Sequence, residues 1–222
     1  MRMARISVLG LALAAGAVDA LSYLAFGEVF TANMTGNVVL LGLALGDGRT
    51  EHVIKSGVAF AGFCAGLAAG FVLVGRGAGR AGTVRGPAVA LGVELVLLVG
   101  IAVGWMARVP RPGLIAGAAV AMGLQSAVTR WAGGSGLSTT YVTGTVTGLA
   151  GQVIGPRSRD GGGVARPVGV VLALVTGAVL AAVALRVHGF VAMLIAPVAV
   201  AVAAGWWGVS VRRGGRGARS EA

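Results

Sequence analysis

Two polar patches interrupt an otherwise apolar chain. The first patch is Phe30-Thr31-Ala32-Asn33-Met34-Thr35-Gly36-Asn37-Val38-Val39-Leu40, and the second patch is Ser138-Thr139-Thr140-Tyr141-Val142-Thr143-Gly144-Thr145-Val146-Thr147-Gly148-Leu149. Polar side chains at membrane depth are costly unless they line a cavity or pair with one another. A patch that occurs twice therefore indicates a site.

The composition around the patches is that of a multi-pass membrane protein. Of the 222 residues, 56% are hydrophobic and 11% are charged, against roughly 25% charged in soluble domains. The 40 glycines fit membrane helices that approach closely. The net charge of +11 comes from arginines between apolar runs and in a basic tail, residues 208–222. This distribution predicts cytoplasmic segments facing an anionic leaflet and excludes a nucleic-acid partner.

The apolar runs predict an all-α fold that forms a single membrane domain over residues 1–222. Six runs of roughly 18 to 22 residues are long enough to cross a hydrocarbon core of about 30 Å as helices. They cover residues 6–26, 53–74, 87–107, 114–131, 167–185 and 189–207. Segments 33–45 and 141–154 are helical by composition but only about 21 Å long, too short to span. We call these two segments half-helices.

The order of these segments predicts two internal repeats, residues 6–107 and 112–207. Asp19-Ala20 falls opposite Gln125-Ser126, and Thr35-Gly36 falls opposite Thr143-Gly144. If the half-helices dip in and return, the chain has six spans and inverted halves; if they cross, it has eight spans and parallel halves. The loop 75–86 contains three arginines and no acid, which places it in the cytoplasm and favours six spans with both termini cytoplasmic.

Two acids lie inside apolar runs. Asp19 is about 14 residues into the first run and Glu94 about seven into the third. An intramembrane carboxylate is a candidate proton carrier, cation ligand or counter-ion. The structural alternative is that each acid satisfies a donor across a helix interface. Gln125, opposite Asp19, forms hydrogen bonds but does not titrate.

Each patch places a lead-in of small and polar residues before the start of a half-helix. The N–H groups and the positive dipole end of each helix then point toward the membrane centre, which favours anionic or acceptor-bearing ligands. The alternative is that the patches are helix-packing and capping elements. We predict a substrate site made of Asp19, Asn33, Thr35, Gly36, Asn37, Gln125, Thr139, Thr143, Gly144 and Thr145.

No sequence pattern indicates catalysis or a cofactor. Cys64 is the single cysteine, and His52 and His188 have no second histidine or carboxylate at metal-ligand spacing. The chain lacks the G-x-S-x-G and H-E-x-x-H motifs. We therefore predict no cofactor, no metal and no enzymatic activity.

Four strings of the sequence resemble the YoaK-like family of bacterial integral membrane proteins, a family of unknown function. They are residues 18–20, 31–37, 123–127 and 140–145, and the resemblance extends over residues 6–207. Ser126 stands where such proteins often carry asparagine, which weakens a binding role for that position. The resemblance implies a multi-pass architecture and supplies no substrate.

These patterns predict a small transporter or channel for a small polar or anionic solute, with its site between the two repeats. The predicted location is the bacterial cytoplasmic membrane, and the candidate partners are the lipid bilayer, an unknown small solute and a second copy of the chain. The alternative is a membrane scaffold or partner subunit in which the patches serve packing. Two intramembrane acids are few for a proton-coupled carrier, which supports that alternative.

Overall fold

The computed structural model describes residues 5–78, 85–133, 142–154 and 165–220, and these residues form helices joined by short connections. α1 (Arg5–Leu21) continues into a π-helical turn (Ser22–Gly27). The chain then forms α2 (Met34–Gly46), α3 (Thr50–Ala78), α4 (Arg85–Met106), α5 (Arg111–Gly133), α6 (Val142–Ile154), α7 (Ala165–Val187) and α8 (Gly189–Ser220). The all-α class is confirmed, and the last helix continues through the predicted basic tail to Ser220.

Six of the helices are long and apolar enough to cross a membrane: α1 with its π-helical turn, α3, α4, α5, α7 and α8. α2 and α6 have 13 residues each, which is about 20 Å of helix. Their starts, at Met34 and Val142, fall within one residue of the predicted starts. The six spans and two half-helices are therefore confirmed, whereas the internal repeat stays a prediction.

The directions of α3, α4 and α5 follow from their contacts. Gly62 lies against Ala116, and Gly70 lies against Ala127 further along both helices, so α3 and α5 run in the same direction. α4 connects them and packs on both. It therefore runs in the opposite direction.

The direction of α1 follows from its packing on α8. Gly10 lies against Ala203, whereas Leu21 shares a small cavity with Met193, so α1 and α8 are antiparallel. Trp105, near the end of α4, lies beside Gly189 at the start of α8. α4 is therefore also antiparallel to α8, and α1 runs opposite to α3. The segment holding α2 thus enters the bundle and returns to the same side, as the six-span alternative predicts.

The core of the bundle consists of two tight helix crossings, α1 with α7 and α3 with α5. Both helices of each crossing contribute a glycine where the backbones approach, and a Cβ there would overlap a carbonyl oxygen of the facing helix. The overlapping pairs are Gly66 with Val120, Gly123 with Phe63, Gly16 with Leu174, and Gly177 with Leu13. Each crossing thus joins one helix from residues 6–107 to one from residues 112–207.

Candidate functional site

A cleft of about 920 Å³ lies between α1, α2, α6 and α7. It brings together Asp19 of α1, the start of α2 and the start of α6. Most of its lining is apolar, as in small-molecule sites generally. The polar groups that line it belong to Asp19, Tyr23, Asn33, Thr35 and Thr143. Gly36 also lines it, so five of the ten predicted site residues meet at one place.

Asp19 uses its carboxylate to hold the lead-in of α2. Oδ1 accepts hydrogen bonds from the backbone N–H groups of Thr31 (2.8 Å) and Ala32 (2.7 Å), and Oδ2 accepts one from Asn33 (3.1 Å). Charge-assisted bonds of this kind are about twice as strong as neutral ones. Asp19 therefore fixes where the half-helix begins.

A backbone reversal makes these bonds possible. α1 loosens into the π-helical turn, and Gly27 then adopts a φ of 131° and Glu28 a φ of 61°. The first of these conformations is one that only glycine takes without strain. Ser22 and Thr31, both buried, close the reversal through a hydroxyl–hydroxyl hydrogen bond of 3.1 Å. The chain is thereby turned back to the depth of Asp19.

Asn33 caps α2. Its side-chain oxygen accepts a hydrogen bond from Gly36 N–H at 3.2 Å, the usual arrangement at a helix N-terminus. A Cβ at Gly36 would crowd the Phe30 ring and the Asn33 amide nitrogen, each at 2.9 Å. Thr35 is exposed. The cap thus leaves the Thr35 hydroxyl and the Asn33 amide at the edge of the cleft.

Asn37 is placed away from the cleft and is only 1% exposed. Its oxygen accepts a hydrogen bond from Phe30 N–H at 2.9 Å, and its amide nitrogen donates to the Phe30 carbonyl oxygen. Both polar atoms therefore bind the lead-in. Asn37 acts as a brace for the reversal and has no atom left to face a solute.

Gln125 is also buried away from the cleft. Its amide nitrogen donates to the carbonyl oxygen of Leu11 at 3.0 Å, which links α5 to α1. The α1–α7 and α3–α5 crossings have the same pattern of glycine contacts, and in that pattern Gly16 of α1 takes the place of Gly123 of α5. That pairing sets Gln125 opposite Val18, and it sets Asp19 opposite Ser126, one residue from the predicted alignment.

The second patch reaches the cleft through the first turn of α6, where Val142 and Thr143 form part of the wall. Gly144 follows in α6, is half-buried and does not line the cleft. Thr145 lies in α6, but its side chain is outside the described residues, as is all of Thr139. The cleft is therefore shared by the starts of both half-helices.

Two aromatic side chains in the wall were missed by sequence reasoning. Tyr23 and Phe30 stack with their ring centroids 5.3 Å apart, and both line the cleft. The available signal was their position at the two ends of the reversal between α1 and α2. Ala178 and Ala182, one helical turn apart on α7, complete the wall opposite. Small residues at that spacing leave room for a bound molecule.

The chemistry that the cleft offers is neutral hydrogen bonding in an apolar, aromatic surround. Beside the start of α2, three N–H groups of the lead-in already bind the carboxylate of Asp19, so a negative charge is present there without a ligand. The polar side chains left to contact a solute are the hydroxyls of Tyr23, Thr35 and Thr143 and the amide of Asn33. Such groups suit a small polar molecule better than a phosphate or a carboxylate.

Comparisons with known proteins agree with the membrane architecture. The model of a family described as "Protein of unknown function (DUF1275)" matches residues 7–206. The UPF0700 transmembrane protein YoaK of Bacillus subtilis (strain 168) is 39% identical over 149 residues. The aligned region covers 65% of this chain and 65% of YoaK, which is less than two thirds of that relative. No solved structure matches the chain.

Proposed function

The chain belongs to the family of membrane proteins described as proteins of unknown function (DUF1275), and from its cleft we propose a small transporter or channel for a small polar solute. The solute binds between the starts of α2 and α6. The proposal places the protein in the bacterial cytoplasmic membrane with both termini in the cytoplasm, and assigns it no enzymatic activity.

The observation that supports this proposal is that two half-helices, one from each half of the chain, have their N-terminal ends at the same cleft. Helices that stop inside a membrane leave backbone groups without intrahelical partners, and such a break survives only where protein or a water-filled cavity satisfies it. In many transporters, discontinuous helices meet at the substrate site for this reason. The cleft is large enough for a small solute and lies beside the α1–α7 crossing.

The position of Asp19 supports a polar solute over an anionic one. Asp19 supplies the negative charge that the start of α2 attracts. An anionic solute would compete with that carboxylate at short range and be repelled by it. A molecule with hydroxyl or amide groups instead pairs with Thr35 and Thr143 and keeps its apolar part against Tyr23 and Leu174.

A thermal-stability screen tests the proposal before the solute is known. Purified protein is heated with a panel of small polyols, amides and amino alcohols, because a ligand present at 100 times its Kd stabilises the fold by about 2.7 kcal/mol. For a compound that stabilises the protein, uptake of its radiolabelled form into reconstituted vesicles is then measured. Thr35→Val and Thr143→Val should abolish both the stabilisation and the uptake.

The matched control is Thr176→Val. Thr176 lies on α7, does not line the cleft, and bonds its own helix at Leu172 O. It should bind and transport as the wild type does. A compound that stabilises all three variants equally would bind elsewhere and would contradict the assigned site.

The scaffold alternative keeps one specific observation in its favour. The side chains of Asn37 and Gln125 form hydrogen bonds with the protein's own backbone, as expected of residues that serve helix packing. The transport proposal fails if no compound stabilises the protein and if labelled polar solutes enter protein-containing vesicles no faster than protein-free vesicles. The scaffold function then takes its place.

Orientation is tested by labelling. In a Cys64→Ala background, a cysteine replacing Gly79 in the basic loop should react with an impermeant thiol reagent only after the cells are opened. Labelling of intact cells would reverse the proposed orientation.

A further inference from the structure

Glu94 stands apart from every other acid in the described part of the chain. It lies ten residues into the 22-residue helix α4, so it is close to the middle of the membrane. Its side chain is 0% exposed. Neither carboxyl oxygen has a hydrogen-bond partner among the described residues.

Glu94 is therefore not explained as a structural brace. Asp19, Asn37 and Gln125, which also lie within the bundle, bind backbone groups of the protein. Buried polar groups in native proteins are nearly always bonded, and an exception calls for a functional account. A buried carboxyl group that makes no hydrogen bond does not stabilise the fold.

Within the residues that the structure describes, no neighbouring positive charge compensates an ionised Glu94. The contact of Gly86 with Leu73 sets α3 antiparallel to α4 and puts Glu94 about level with residue 65, roughly 15 Å along the helix from Lys55. Lys55 is in any case paired with Glu51. The other titratable residues on the elements around α4 are Arg5, Asp19 and Tyr23 on α1 and its extension, His52, Cys64 and Arg76 on α3, Arg85 on α4 itself, Arg111 and Arg130 on α5, and Arg212, Arg213, Arg216 and Arg219 on α8.

Most of those groups lie near helix ends, and the exceptions face elsewhere. Asp19 and Tyr23 line the cleft, and Cys64 is exposed on the outside of α3. The small cavity that begins one turn from Glu94, at Leu98, is lined only by apolar side chains. An apolar cavity of that size stays dry. Among the described residues, therefore, no cation lies beside Glu94, and this cavity supplies no polar group that would stabilise a carboxylate.

We propose that Glu94 is a proton-binding site at mid-membrane: its carboxyl is a neutral acid in this conformation, and its ligand is a proton. To give up that proton, Glu94 must meet water, which requires α4 to separate from α5 or α8. If the protein transports a solute as proposed above, this proton is the coupling ion; that last step rests on the proposed function, whereas the proton site does not.

Infrared spectroscopy of the purified full-length protein tests the site. Dodecyl maltoside is the detergent of choice because it has no ester carbonyl to mask the signal. At neutral pH the wild type should show the carbonyl stretch of a protonated carboxylic acid, with the usual small shift in D2O. The band should be lost in Glu94→Gln and kept in Asp19→Asn, the matched control, because Asp19 is bonded as a carboxylate.

A second measurement needs no variant. Dicyclohexylcarbodiimide enters apolar regions and reacts with protonated carboxyl groups, so mass spectrometry of treated wild type should find the adduct on the peptide that contains Glu94 and not on the one that contains Asp19. If Glu94→Gln does not accumulate as folded protein, this labelling decides alone. A wild type with neither the acid band nor the adduct overturns the proposal.

The two proposals fail separately. Both measurements are made without any solute, so an absent acid band removes the proton site and leaves the transport proposal untouched. A protein that shows the band and the adduct but moves no solute keeps the proton site and loses the transport function.

Discussion

Asp19 and Glu94 are the same kind of feature in the sequence and opposite kinds in the structure. Each is a single acid inside an apolar helix. Asp19 is half-buried and accepts hydrogen bonds from three backbone N–H groups. Glu94 is fully buried and accepts none from the described residues. The difference shows that burial alone does not define the role of a membrane acid. What decides is whether the surroundings supply donors for the charged form.

Asp19→Leu should have the largest effect on stability. This change leaves three N–H groups of the lead-in without an acceptor, and we expect a loss of about 3–5 kcal/mol of folding free energy. Unfolding in mixed micelles, with size-exclusion profiles as a check on folding, measures it. Equal heat resistance in Asp19→Leu and wild type would show that the three bonds carry no stability.

Asn37→Leu should have the next largest effect. The substitution removes both hydrogen bonds to the backbone of Phe30 and strands one buried N–H and one carbonyl, a loss of about 2–4 kcal/mol. The same unfolding assay applies. Val38→Leu, at an exposed neighbouring position, is the control and should behave as the wild type.

Asp19→Asn separates the effect of charge from that of shape, because it removes the charge and keeps the shape of the side chain. The amide has one oxygen left to accept, and its NH2 group faces at least one N–H donor, so we expect a loss of about 2 kcal/mol. Expression should stay close to that of the wild type. A loss as large as that of Asp19→Leu would mean that the carboxylate charge, and not its geometry, holds the lead-in.

Glu94→Met should act in the opposite direction. An apolar side chain of similar length replaces a carboxyl that has no partner, so stability should stay the same or rise by about 1 kcal/mol. Leu95→Met on the same helix controls for the flexible methionine. Clear destabilisation by Glu94→Met alone would mean that the carboxyl has a bonded partner after all.

The smallest effects on stability are expected at the cleft. Thr35 and Thr143 are exposed to it, so Thr35→Val and Thr143→Val should change folding free energy by less than about 0.5 kcal/mol. Their loss of function should therefore appear in binding and uptake without a matching loss of stability.

Much of the architecture could be predicted from the sequence because membrane spans are set by length and hydropathy. Six spans and the starts of both half-helices follow from uninterrupted apolar runs and from the polar residues that precede Met34 and Val142. The basic loop also pointed to the six-span alternative, because its three arginines favour one side of the membrane.

The contacts inside the site could not be predicted because they depend on how the chain turns back. Asp19 is 12 to 14 residues from the N–H groups that it binds, and nothing in the spacing shows that a π-helical turn and two left-handed residues bring them together. The same reversal gives Asn37 its partner. The alignment of Asp19 with Gln125 stays a prediction, and the glycine contacts, which the alignment did not use, favour Ser126 as the counterpart of Asp19.

The crossings of α1 with α7 and of α3 with α5 also constrain how the protein is made. α1 enters the membrane first, yet its two main partners, α7 and α8, are the last helices to be synthesised. Until they arrive, the Gly16 face of α1 has no backbone to pack against. The bundle therefore closes only after translation is nearly complete, and each half expressed alone should be degraded, whereas the two halves produced together in one cell should assemble.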